Sequence, residues 1–329
     1  MRRWLAVFLL LALGFAARPS AAKDIVIAEP VHGAGFLPVY VAKDKGYFKD
    51  EGLDVTLDTM DGGAMIPAVV SGQAFALTAS VDRNAMAKVG GKDVKAVVNL
   101  DERANIYLMA RKDLMPVTTD LATFLKGKRI AVGVYGGTPN SMLRYLLATK
   151  WHLTPGQDVT IVETTSSPLI LAAVAAKQAD LGVNSEPFIM QGIHQGVWGE
   201  PIYAAKDLGI YADTALSVRG DTIRDDPETV HGFVRAMVRA LVYANTHRDE
   251  MLDFAKKEFP TAPPDGLTAS LDRIYKDHIY STDGYIPPEA WALGNAVVKE
   301  GGVLKEDVPY DQVVDMRFVD QVRKELKLD

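Results

Sequence analysis

An alternation of short strands with helices, run through twice at an offset of 104 to 105 residues, constrains this chain more than any other feature. The first run has a β-rich stretch at 24–28 (DIVIA), a helical spacing over 36–45 with Leu37, Tyr40 and Val41 on one side, and an alternating stretch at 53–58 (LDVTLD). It continues as a helix over 64–71, a strand at 75–78, a helix over 81–88 and a strand at 94–100. Strands separated by helices imply parallel βαβ units. The same order recurs as a strand at 128–134, a helix over 139–151, a strand at 158–163, a helix over 168–177 and a strand at 180–183. Asp54-Val55-Thr56-Leu57 meets Asp158-Val159-Thr160-Ile161 at an offset of 104, and 68–74 (AVVSGQA) meets 173–179 (AVAAKQA) at 105. Ile25 and Tyr40 meet Ile130 and Tyr145 at 105 as well. A duplicated βαβαβ unit is the expectation.

The last third is helical. Residues 227–245 carry Val230, Phe233, Val234, Met237, Val238 and Leu241 on one face, with Asp226 as N-cap and Pro227 in the first turn. Further helices are expected over 249–258, 265–276, 288–299 and 318–326, covering the first unit. The short β-like stretches 106–110 (IYLMA) and 214–218 (TALSV) flank the second unit and read as two crossing strands of a hinge. The expected plan is therefore α/β with two lobes: 23–110 with 212–329, and 111–211.

Residues 1–22 differ from the rest. Arg2 and Arg3 precede an apolar run from Trp4 to Leu13, and Ser20-Ala21-Ala22 offers small residues for cleavage before Lys23. That is the layout of a secretory signal peptide, and the run is short of the ~20 apolar residues a membrane span needs. A periplasmic location is expected. The chain has no cysteine, which excludes disulfides, thiolate metal sites and a lipid-modified cysteine. Its net charge of −6 would become −9 on loss of Arg2, Arg3 and Arg18, a poor balance for a nucleic-acid partner.

Ligands of open parallel sheets bind beyond the carboxyl ends of the strands. Two facing sheets would put six loops around one cleft: 29–36, 60–64, 78–82, 134–140, 164–168 and 184–188. The candidate ligand-binding residues in them are His32, Phe36, Gly62, Gly63, Ser80, Tyr135, Gly137, Thr138, Ser166, Asn184, Glu186 and Phe188. The glycines allow close backbone approach. Phe36, Tyr135 and Phe188 offer rings for stacking, and His32 a hydrogen bond. Thr138 and Ser166 can either cap helices or donate to a ligand. Glu186 can accept from a ligand N–H or cap the next helix. Basic side chains are scarce, with Arg83 and Arg103 the nearest, whereas Glu29 and Glu186 both sit at strand ends. That balance favours a small organic molecule with a planar or amino-bearing part. No catalytic cluster, metal site or cofactor motif stands out.

The stretch 37–55 (LPVYVAKDKGYFKDEGLDV) holds a Pro, then Tyr-x-Ala, then Gly-Tyr-Phe-x-x-Glu-Gly-Leu-x-Val. It resembles the opening of the nitrate/sulfonate/taurine and thiamine-pyrimidine family of periplasmic binding proteins, continued by Gly62-Gly63 and Ser71-Gly72. The resemblance implies a type II periplasmic binding protein fold: two Rossmann-like lobes joined by a two-strand hinge, with the ligand cleft between them. It also implies a monomer that delivers its ligand to an ABC permease at the inner membrane. Two alternatives accompany it. One is a pyrimidine-synthase-like enzyme of the same fold, although those enzymes resemble one another in a cysteine-rich segment absent here. The other is a periplasmic ligand-sensing partner of a membrane receptor.

Overall fold

The computed structural model describes residues 22–115 and 120–328. The signal-peptide reading falls on residues 1–22 and so lies, but for Ala22, outside the described residues. Ten strands are described: β1 (Lys23–Glu29), β2 (Leu53–Thr59), β3 (Ala76–Ala79), β4 (Val94–Asp101), β5 (Tyr107–Ala110), β6 (Arg129–Gly133), β7 (Thr160–Thr164), β8 (Leu181–Asn184), β9 (Tyr203–Ala204) and β10 (Thr214–Arg219). They form two five-stranded sheets, in the orders β2-β1-β3-β10-β4 and β7-β6-β8-β5-β9.

Each sheet has the same design. Three strands run parallel (β2, β1 and β3 in one, β7, β6 and β8 in the other), and an antiparallel strand follows on the far side. Parallel strands covered on both faces read as apolar runs, and Ile25, Ile27, Ile130 and Val132 are buried accordingly. The ladders give the correspondence between the two units. Ile27 lies between Leu57 and Ala76, and Ile130 between Ile161 and Leu181. Leu57 and Ile161 keep the offset of 104, and Ala76 and Leu181 that of 105. The first strands correspond at 103 (130 − 27), so the Ile25–Ile130 match is two residues out of register. A slip of two keeps the same strand face, which is why the sequence pattern tolerates it.

The two stretches expected to cross between lobes do not do so. β5 is hydrogen-bonded between β8 and β9, wholly in the second sheet, and β10 lies between β3 and β4 in the first. Both are buried along nearly their whole length. A buried strand must pair its backbone groups on both sides, which only a sheet interior provides. The chain crosses instead at 102–106 and 205–213, just outside the two strands. These segments run together: the Tyr211 N–H donates to Glu102 O at 2.9 Å and the Asp213 N–H to Asp101 O at 3.2 Å.

The helix Pro227–Thr246 forms as its pattern predicts. Asp226 accepts from the Thr229 N–H, Pro227 occupies the first turn, and Val230, Phe233, Val234, Met237, Val238 and Leu241 are all fully buried. Each such side chain contributes roughly 1.5–3 kcal/mol by leaving water. Residues of the later helices, among them Ile274, Trp291 and Val319, join the same core on the first sheet. The helix Pro288–Glu300 also sends Val297 into the core of the second sheet, so it packs on both. No helix among the described residues is long and apolar enough to cross a membrane.

Candidate functional site

A cavity of about 360 Å³ lies between the two sheets. All six strand-end loops expected around the cleft line it, through Gly33, Gly62, Ser80, Gly137, Ser166 and Asn184 among others. β1, β2 and β3 end on one side and β6, β7 and β8 on the other, because the connections of both parallel units return to the same edge.

Of the candidate residues, Phe36, Gly62, Gly63, Ser80, Gly137, Thr138, Ser166, Asn184 and Glu186 line the cavity. Ser80 and Ser166 are N-cap residues, yet neither side chain makes a capping bond. Thr138 opens the helix Thr138–Thr149, whose N-cap is Gly137. Its hydroxyl instead reaches across to the buried Asp82 carboxylate of the first unit, at 3.1 and 3.3 Å. Asn184 is buried, donating to Ser167 O at 3.1 Å and accepting from the Ser185 N–H at 3.0 Å.

Glu186 is committed elsewhere. Its Oε1 accepts from Arg273 Nε at 2.9 Å, and its Oε2 from the Ser270 hydroxyl at 2.8 Å and the Met190 N–H at 3.3 Å. Burial pushes its carboxyl up; the Ser270 hydroxyl and then the Arg273 charge pull it back. Protein donors thus already engage both Glu186 oxygens, and the Met190 N–H bond fits the expectation that Glu186 caps the next helix. Glu29 is engaged in the same way by Tyr40 (2.7 Å), Thr59 (3.0 Å) and His32 (3.0 Å).

His32, Tyr135 and Phe188 do not line the cavity. His32 is held between Glu29 and Glu258, with Nε2 3.3 Å from the latter, and stacks on Tyr40. Its hydrogen bond to Glu29 raises its pKa against a smaller opposing effect of burial. Tyr135 points away from the cavity: its hydroxyl donates to Gly302 O at 2.7 Å and Arg144 lies over its ring. Phe188 begins the half-buried helix Phe188–His194. His32 and Tyr135 each found a partner on a neighbouring element, which loop composition does not reveal.

The sequence reading missed the wall between the two sheets. Asp101, Asn105, Asp213 and Thr214 line it, and all four come from the ends of β4 and β10 or from the crossing segments. Asp213 accepts from the Asn105 N–H at 3.0 Å. Burial pushes its carboxyl up to about 7, opposed by that N–H and reinforced by Asp82. Burial, and then Asp213, hold the Asp101 carboxyl well above the usual range. The only hint in sequence was the acidic character of these segments. Of the two arginines considered, Arg83 lines the cavity and Arg103 turns to Lys206 O at 3.4 Å. Four carboxylates (Asp61, Asp101, Glu186 and Asp213) thus face one guanidinium among the lining residues. No group of three or more His, Asp or Glu among the described residues is placed to hold a metal ion.

The family described as NMT1/THI5 like matches residues 34–251, about two thirds of the chain. The chain belongs to that family. YtlA of Bacillus subtilis (strain 168), which is named as a binding protein, is 27% identical over 337 residues, covering 99% of this chain and 100% of its own. Riboflavin-binding protein RibY of Chloroflexus aurantiacus is 26% identical over 321 residues, covering 92% of this chain and 88% of its own. Among solved structures, the periplasmic nitrate-binding protein NrtA from Synechocystis PCC 6803 shares the fold with a TM-score of 0.77 at 16% identity, covering 94% of this chain and 90% of that one. This member of the NMT1/THI5-like family thus has the two-lobed α/β fold of periplasmic binding proteins. Neither curated relative is named as an enzyme.

Proposed function

We propose that this protein captures a small organic molecule in the periplasm, in the cavity between its two sheets, and delivers it to an ABC permease at the inner membrane. The cavity carries the reading: strand ends of both sheets line one space, and a ligand there would touch both halves at once. A ligand that binds one arrangement of the halves better than another shifts the protein toward it, and the permease would read that arrangement. The two lobes would be residues 23–101 with 214–328, and 107–204, with the chain acting as a monomer. Phe36, Gly62, Gly63, Ser80, Gly137, Thr138, Ser166 and Asn184 would contact the ligand. Residues 1–22 would serve as the export signal, so the periplasmic form should begin at Lys23.

The test is thermal unfolding of the mature protein with a panel of nitrate, sulfonates, carboxylates, aminopyrimidines and riboflavin, the last because RibY carries that name. Mass spectrometry of small molecules that co-purify would run alongside. At least one compound should raise the Tm, since ligand that binds only the native state stabilises it. A protein that neither responds to the panel nor carries any small molecule from the cell would overturn the capture reading.

A further inference from the structure

We propose that the wall formed by the end of β4 and the two crossing segments is a subsite for a positively charged, N–H-bearing group of the ligand, an amine or amidine, held by Asp101, Asn105 and Asp213. This rests on the reading of the cavity as the capture site and names the chemistry of what enters it.

Two observations carry the inference independently. The first is the charge of the lining, in which one guanidinium is set against four carboxylates. Glu186 is paired with Arg273, which leaves Asp61, Asp101 and Asp213 to share the single lining guanidinium of Arg83. The second is unmet hydrogen bonding. Asp101 and Asn105 are 1% and 5% exposed, both line the cavity, and each has a side-chain oxygen with no partner. A buried acceptor left unpaired costs about 1–3 kcal/mol. The two side chains are neighbours: a Cβ on Gly35 would stand 2.9 Å from Asp101 Oδ2 and 3.1 Å from Asn105 Nδ2. A flat cation with two N–H groups can supply donors to the unpaired oxygens, Asp101 Oδ1 and Asn105 Oδ1, and a positive charge to balance the carboxyls. Burial meanwhile favours the protonated form of both carboxyls. An arriving cation would replace that proton as the compensating charge. Asp101 ends β4, Asn105 lies in the first crossing segment and Asp213 in the second, so the cation would bridge the two passages between the sheets.

The experiment uses three probes of one shape: benzamidine, benzamide and benzoate, titrated against the mature protein by thermal shift and by calorimetry at pH 7.5. Benzamidine should bind at least 10-fold more tightly than benzamide, and benzoate should produce no shift. Asp101→Asn, which keeps the shape of the side chain, should lower benzamidine affinity at least 10-fold. The comparison of probes on the unaltered protein stands even if that variant folds poorly. Benzoate binding as well as benzamidine, or benzamidine affinity unchanged in a folded Asp101→Asn protein, would overturn the subsite. Co-purification of a natural ligand with no amine or amidine would overturn it too while leaving the capture reading intact. Silence from all three probes in a protein that does carry a cellular ligand counts against the subsite alone.

Discussion

Arg273 reaches Glu186 from the opposite half of the molecule, with its Nε 2.9 Å from Oε1. Arg273 sits on the helix Pro264–Lys276, whose Leu271 and Ile274 belong to the core of the first sheet, whereas Glu186 follows β8 of the second. The Glu186 side chain is fully buried and Arg273 is 17% exposed. Removing one partner of a buried pair strands the other charge. Arg273→Ala should therefore cost about 3 kcal/mol in urea unfolding at pH 8. The loss should shrink at pH 5, where the stranded carboxyl can take a proton. Arg273→Ala in a Glu186→Gln background should cost clearly less than in the natural one. A cost within ~0.5 kcal/mol at both pH values, the usual range for surface changes, would show that the pair does not hold the halves together.

His32 should make stability depend on pH in the opposite direction from an ordinary carboxylate pair. Its pKa is raised by Glu29, with Glu258 adding to the effect. Its contribution is full below the unfolded value of 6.5 and is lost as pH rises through the raised folded value. The Tm gap between the natural protein and His32→Gln should be wider at pH 6 than at pH 9. A gap that stays constant would mean that stacking on Tyr40, not charge, is what His32 supplies.

Asp213 makes a separate prediction. With its carboxyl pushed up to about 7, the folded protein holds a proton that the unfolded chain has released above ~4. Stability from this group is complete below ~4 and declines as pH rises toward 7. Asp101, Asp82 and Tyr211 face the same region, and their pKa values are raised as well. The ligand-free protein should thus lose stability from pH 5 to pH 8. Asp213→Asn, which can still accept from the Asn105 N–H, should flatten that decline. An unchanged slope would assign the titration to its neighbours.

Gly35 is predicted to tolerate no side chain. Its Cβ would come within 2.9 Å of Asp101 Oδ2. Overpacking of this kind costs about 1–3 kcal/mol. At Gly62 the nearest atom to an added Cβ is Arg83 Nη2 at 3.5 Å, an ordinary contact with the end of a flexible side chain. Gly35→Ala should lower the Tm and weaken benzamidine binding, whereas Gly62→Ala should stay within ~0.5 kcal/mol. Equal effects of the two substitutions would show that the approach of Gly35 to Asp101 is not a constraint.

Local pattern was enough for the elements. The apolar spacing over 227–245 became the helix Pro227–Thr246 with every expected residue buried, and the two offsets survive in the sheet ladders. It was enough for the loops around the cleft as well, because strand ends in parallel units must emerge on one edge. It was not enough for side chains that found distant partners. Glu186 looked available until Arg273, 87 positions along the chain, was brought against it.

The sequence by itself determined the two α/β units, their order and the positions of the six cleft loops, because hydrophobic period and turn residues act over a few positions. Only the tertiary structure decided where the chain crosses between them. β5 and β10 read as short strands in either sheet, and burial on both edges assigned each to one. The same folding brought Asp101 beside Thr214 and Asp213 beside Asn105, and so built the acidic wall of the cavity. Burial depends on what the whole chain packs around a residue, so no local stretch could announce that Asp101 would be left with an unpaired oxygen.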